Sequence, residues 1–223
     1  MYLSEKYRIF RTNTHRMDTN KKIAQIVKER IEAGERGDIY FVSSFSDLQN
    51  DQAVTKSLQR LSDEGILIRL SKGVYLYPET TRFGTITPPI EEIVKSIAER
   101  DNVAVLPTGS TALNKLGFST QVPMNAVFLT TGSTRTIKIG NRKIVFKHSV
   151  PKNFAYKGVL MPLIVESFKE LGKSNVDDEV FKKTRKIVSA LPETDFTTFV
   201  EDLQYAPQWI RTIIQQTIRE NRI

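Results

Sequence analysis

The 223-residue chain carries 33 Lys and Arg against 25 Asp and Glu, a formal net charge of +8, a balance that favours a polyanionic partner without specifying one. It has no cysteine and only two histidines, which excludes disulfides, thiol catalysis and cysteine-ligated metals and leaves a histidine metal site or catalytic triad poorly supplied. Its length suits one large domain or two small ones, and its hydrophobic content of 39% fits a globular protein with a core. No apolar run approaches the roughly 18–20 residues that span a membrane, and no apolar leader is visible, so a cytoplasmic protein without membrane association is expected.

Residues 1–18 read as a basic arm, with Arg8, Arg11 and Arg16 among polar residues and the aromatics Tyr2 and Tyr7. Such an arm is either unstructured or follows DNA phosphates. Residues 19–80 read as a winged helix-turn-helix. Ile23, Ile26, Val27 and Ile31 form the apolar stripe of a first helix starting near Thr19, and Tyr40 to Val42 read as a short strand. A short helix beginning near Ser44 precedes a second helix, which Asp51 is placed to cap. Val54, Leu58 and Leu61 recur at i, i+4 and i+7 on that second helix and mark its inward face. Gln52, Thr55, Lys56, Gln59 and Arg60 fall outside the stripe, and these residue types bond base edges or phosphates.

Gly65 is placed to end the helix, because glycine accepts the left-handed conformation found there. Ile66 and Ile68 are expected to alternate with Leu67 and Arg69 in a strand. Ser71, Lys72 and Gly73 form a hairpin tip before Val-Tyr-Leu-Tyr, and Lys72 sits where a wing reaches a phosphate. Lys56, Arg60, Arg69 and Lys72 all carry one sign. A polar helix face of this kind also occurs on winged modules that dock proteins.

Residues 79–90 are Thr-, Gly- and Pro-rich and read as a linker, with Pro88 and Pro89 disfavouring helix before Ile90. Residues 90–223 read as a second, α+β domain. Ile90, Ile93, Val94 and Ile97 form a helix stripe, and Val103 to Leu106 a strand. Thr108-Gly109-Ser110 opens a short helix that Gly117 ends. Three strands follow, Ala126 to Thr130, Thr134 to Ile139 and Lys143 to Phe146, the last two joined at Gly140-Asn141. Beyond Pro162 the pattern is helical, ending with a helix that begins at Pro207. The expected fold class is therefore α+β: a winged helix-turn-helix, then a mixed domain with a helical C-terminal part.

The chemistry-bearing residues are sparse. Thr108-Gly109-Ser110 after a strand has the Gly-Ser opening of nucleotidyltransferases, but those enzymes hold divalent metal with carboxylates on a following strand, and here none occurs between Asp101 and Glu166. No phosphate-binding Gly-Lys-Ser/Thr loop is present. Thr108 and Ser110 are read as helix caps, His148 as structural or solvent-facing, and Asp177-Asp178 as a helix opening favoured by the dipole. No catalytic residue, metal or cofactor is called for. The interval 102–165 instead holds eight basic residues and no acidic one. Arg135, Lys138, Arg142, Lys143 and Lys147 cluster around its hairpin. They read as a solvated face, a further phosphate-contacting surface or a dock for an acidic protein.

Two stretches carry a resemblance. SLQRLSDEGILIRLSKGVYLYP, Ser57 to Pro78, and LPTGSTALNKLGFSTQVPMNAVFLTTG, Leu106 to Gly132, the latter followed by the basic hairpin and Lys147-His148-Ser149, resemble the AbiEi-like antitoxins of bacterial abortive-infection, type IV toxin–antitoxin modules. The likeness covers roughly residues 20–170. It implies a bifunctional protein whose winged domain represses its own operon at inverted repeats in double-stranded DNA. Its C-terminal domain then counteracts a separately encoded nucleotidyltransferase-like toxin without a stable complex. By that resemblance Gln52, Thr55, Lys56, Gln59 and Arg60 read the operator, Lys72 clamps its backbone, and the basic face from Arg135 to Lys147 adds DNA contacts or serves neutralisation.

Overall fold

The computed structural model describes residues 20–82, 84–139 and 141–220, and the basic arm at residues 1–18 lies outside them. The fold is mixed α+β. The described residues form two compact units, one ending at Ser96 and the other beginning at Ile97.

In the first unit, α1 (residues 20–32) is followed by the two-residue strand β1 (Ile39–Tyr40), a 3-10 segment (Val42–Leu48) and α2 (Asp51–Asp63). Strand β1 sits one residue earlier than its pattern suggests, because Val42 already starts the 3-10 turns. These turns are not a regular α-helix; Phe45 breaks them with φ −123° while burying its ring. Strands β2 (Ile68–Ser71) and β3 (Val74–Leu76) form a hairpin, and β3 pairs with β1 on its other side to give the order β1-β3-β2, all antiparallel. The core is one cluster. Ile23, Val27 and Ile31 of α1 meet Val54, Leu58 and Leu61 of α2, Leu67, and Tyr75 and Tyr77. Tyr40 flanks this cluster, and burial, with Asp38 beside it, pushes its hydroxyl up to about 12.

The stretch after β3 contains structure that its composition conceals. Glu79–Thr81 (β4) and Gly84–Ile86 (β5) pair as an antiparallel ribbon whose residues are all exposed. Composition misses it because neither strand has an apolar face to register as alternation. Helix α3 (Ile90–Asp101) follows, and the division between the units falls inside it.

The second unit has a four-stranded sheet and a helical cluster. Strands β6 (Val105–Pro107), β7 (Asn125–Thr130), β8 (Arg135–Ile139) and β9 (Arg142–His148) lie in the order β6-β7-β9-β8. Strand β7 runs parallel to β9, while both outer pairings are antiparallel. The short helix α4 (Ser110–Lys115) leaves β6 through Gly109, whose φ of +59° is the kind of backbone that glycine tolerates. Helices α5 (Leu160–Leu171), α6 (Asp178–Ser189), α7 (Glu193–Asp202) and α8 (Gln208–Glu220) close around Met161, Ile164, Phe168, Val188, Phe199, Ile210 and Ile214.

Candidate nucleic-acid interface

Helix α2 is built as a two-sided element. Val54, Leu58 and Leu61 are fully buried, and Ala53 and Ser57 join them. Gln52, Thr55, Lys56, Gln59 and Arg60 are all exposed on the remaining face. The helix begins one residue earlier in function than expected: Asn50, not Asp51, is the cap, and its side chain accepts from the Ala53 N–H at 3.1 Å. Asp51 is instead the first helical residue, where its charge suits the dipole. At the other end Gly65, with φ +76°, lets the chain turn back, and the Ile66 N–H donates to the Leu61 carbonyl at 2.9 Å. That bond satisfies a carbonyl the helix leaves open.

Two of the five exposed residues are partly engaged by their own helix. The Thr55 hydroxyl donates to the Asp51 carbonyl at 2.7 Å, and Arg60 Nε lies 3.4 Å from Glu64. Both are solvent-side contacts that exchange readily with an outside partner, since exposed i, i+4 pairs are worth only a few tenths of a kcal/mol. Gln52, Lys56 and Gln59 have neither contact.

The hairpin that follows departs from simple alternation. Leu67 and Leu70 are buried, while Ile66 and Ile68 are half-buried, because the register shifts between Arg69 and Ser71. Arg69 is exposed. Ser71 pairs directly with Val74, leaving Lys72-Gly73 as a two-residue tip with Gly73 at φ +73°. Lys72 stands exposed at that tip. Behind the hairpin, Arg36 stacks over Tyr77, 4.0 Å from the ring centroid, and donates to the Pro78 carbonyl at 3.0 Å. Arg30 bridges α1 to the 3-10 segment by donating to both oxygens of Asp47, at 2.8 and 2.5 Å. These hydrogen bonds hold the Asp47 carboxyl below its ordinary value.

In the second unit, the five basic residues around the β8–β9 hairpin do not share a face. Cross-strand register places Lys138 directly opposite Lys143, Thr136 opposite Val145, and Leu129 opposite Lys147. Lys138, Lys143 and Lys147 therefore project on one side, with half-buried Val127, Leu129 and Val145 between them. Arg142, which is exposed, pairs with Ile139, and half-buried Arg135 with Phe146, on the opposite side of the sheet. Arg135 is not a free surface cation. Its guanidinium lies 5.1 Å from the Phe146 ring and bonds Asp101 at the end of α3. Burial raises the Asp101 carboxyl, but hydrogen bonds from Arg100 and Arg135 outweigh that and leave it below its ordinary value. Expecting Arg135 on an open face was wrong because the strand period puts it inward, where a carboxylate 34 residues away awaits it. Gly140, between the paired residues Ile139 and Arg142, lies outside the described residues.

Thr108 is not a helix cap either: Gly109 holds that place, and the Thr108 hydroxyl donates to Glu166 Oε2 at 2.6 Å. Glu166 is buried on α5 and its other oxygen is 2.7 Å from Lys169 Nζ. The carboxylate lacking after the Gly-Ser turn in sequence thus returns from α5 and is fully engaged there. A signal existed, namely one Glu inside the apolar stripe of Met161, Ile164, Val165 and Phe168, with Lys three residues on. Asp177 caps α6 by accepting from the Val180 N–H at 2.9 Å. His148 is exposed, with Nδ1 2.8 Å from the Gly132 carbonyl oxygen. Among the described residues no group of three or more His, Cys, Asp or Glu is placed to hold a metal, and no helix is long and apolar enough to cross a membrane.

A helix with one buried and one basic-polar face, a lysine-tipped hairpin after it, and a second unit with a lysine-bearing sheet define the class of protein: a two-unit, mixed α+β chain. The family model for a family of unknown function, DUF6088, matches residues 25–196, and the chain belongs to that family. No curated protein matches the chain.

Proposed function

We propose that the first unit is a winged helix-turn-helix and that the protein is a DNA-binding transcriptional regulator, acting as an autorepressing antitoxin of the AbiEi-like kind. The observation that supports this reading is α2 itself. Its five outward residues are all donors or acceptors suited to base edges and phosphates, its inward residues are fully buried, and the hairpin next in the chain presents Lys72 at a two-residue tip. In this reading Gln52, Thr55 and Gln59 face bases in the major groove, while Lys56, Arg60, Arg69 and Lys72 contact phosphates. The second unit carries the neutralising role toward a nucleotidyltransferase-like toxin. The protein works in the cytoplasm and needs no catalytic group or cofactor of its own.

A second reading, a protein-docking adaptor without operator specificity, draws on the Thr55 hydroxyl's bond to its own helix, which leaves one fewer group free for base readout.

A gel-shift titration of the full chain against its own upstream DNA and a scrambled duplex, at two salt concentrations, tests the proposal. Preferential binding to the upstream DNA is expected, with the preference lost in a Gln52→Ala/Gln59→Ala variant and both duplexes weakened in a Lys56→Ala/Arg60→Ala variant. Weak binding, equal on both duplexes and abolished at moderate salt, would leave the adaptor reading ahead.

A further inference from the structure

The second unit contains a cleft between β6 and the start of α5, of about 590 Å³. That volume lies within the range of roughly 300–1,000 Å³ usual for small-molecule sites. Its walls are apolar: Val105, Leu106 and Pro107 on one side, Phe154 and Tyr156 on another, Leu163 of α5 on a third. Val159 also lines it and stands 88% exposed, an apolar side chain offered to solvent at the mouth. An open apolar cleft of this kind, edged by charge, is the usual setting for a ligand with an apolar body and a polar end.

The charges at the cleft say which polar end. Two lysines line it. Lys157 is already matched, its Nζ 3.0 Å from Glu201. Next to it, the Asp202 carboxylate is buried and accepts from the N–H groups of Lys157 and Gly158, both at 2.8 Å. Asp202 lies behind the wall and does not line the cleft, so the lining itself carries two lysines and no carboxylate. Lys115, at the C-terminal end of α4, is exposed and has no acidic partner among the described residues. No Asp or Glu lies within 13 residues of it on either side in the chain.

From this we infer that the cleft binds a small amphipathic anion, a monocarboxylate with a linear or aromatic apolar body. The body lies against Val105, Leu106, Phe154 and Leu163, and the carboxylate is paired with the Lys115 ammonium. A neutral ligand would leave Lys115 without use, and a dianion would leave its second charge without a free cation, since Lys157 is already paired with Glu201. This assignment is independent of the DNA-binding reading, since no residue of the first unit enters it.

Titration calorimetry on the full chain, with decanoate as probe and 1-decanol as its uncharged counterpart, tests the inference. Saturable decanoate binding at one site is expected, with decanol weaker. Lys115→Met should weaken decanoate by about fivefold, the upper end for a solvent-accessible ion pair, and leave decanol unchanged. Val159→Trp, a change at a side chain too exposed to threaten folding, should obstruct the mouth and weaken both probes. Leu163→Trp should abolish both, with circular dichroism confirming that the variant is folded. No saturable binding of either probe would overturn the inference. So would decanoate binding indifferent to both Lys115→Met and Val159→Trp, or decanol binding as tight as decanoate.

Discussion

Asp101 shows how much one side chain can decide. It joins the end of α3 to β8 through Arg135 and is also bonded by its neighbour Arg100 at 2.7 Å. Because its carboxyl titrates below the ordinary value when folded, the stability it contributes is complete above the unfolded carboxyl value of about 3.9 and is lost as pH falls through the lower folded value. Urea denaturation should therefore find Asp101→Asn less stable than wild type near pH 7, by about 1–3 kcal/mol, with the gap closing once the solution is acid enough to protonate the wild-type carboxylate. A gap that persists unchanged at low pH would mean that the carboxylate's charge is not the cause. In the proposed DNA interface, Gln59→Ala should cost about 1–3 kcal/mol on the operator and little on other duplexes, whereas Lys72→Ala should weaken all duplexes alike and reduce the salt slope by about one. Equal losses from Gln59→Ala on every duplex would remove it from base readout. At this scale the sequence is an uneven guide. The buried stripe of α2 is legible because i, i+4, i+7 spacing is a local property. The partners of Arg135 and Thr108 are not, because Asp101 and Glu166 reach them only through tertiary folding.

Among the elements, the β8–β9 hairpin carries the clearest internal tension. Lys138 and Lys143 face each other directly across the pair, with no acidic residue in the surrounding interval to offset them. Like charges in that relation destabilise a sheet by roughly 0.2–1 kcal/mol. Lys138→Thr should therefore raise the thermal midpoint of the free protein slightly, since threonine also suits a strand. If that variant is instead less stable, the lysine stem contributes more by covering Val127 and Val145 than its charge costs. The existence of the three strands after α4 is readable from their apolar alternation. Their arrangement is not: nothing local distinguishes a meander from the observed order, in which β9 inserts between β7 and β8. The β4–β5 ribbon escapes notice for the opposite reason. It has regular pairing with no buried side, so hydrophobic pattern is blind to it, and an isolated two-stranded ribbon has little stability of its own.

For the whole molecule, the order β6-β7-β9-β8 has a consequence for how the chain reaches its native state. The β8–β9 pair joins residues as near in sequence as Ile139 and Arg142, whereas β7 meets β9 only across 18 residues, Asn125 to Lys143, and β6 meets β7 across still longer separations, such as Val105 to Thr130. Loop closure makes the local pair the faster to form. The central pairing of the sheet must then wait, because β7 is made before β9 and has no neighbour on that side until the hairpin supplies its parallel partner. Conservative truncations should report this sequence of events in the kinetics. Ile137→Val and Ile144→Val should slow refolding of the second unit, while Phe128→Leu should mainly speed its unfolding. During synthesis β7 leaves the ribosome ahead of the strand that completes it. For that interval the backbone edge of Asn125–Thr130 that β9 later fills is unpaired.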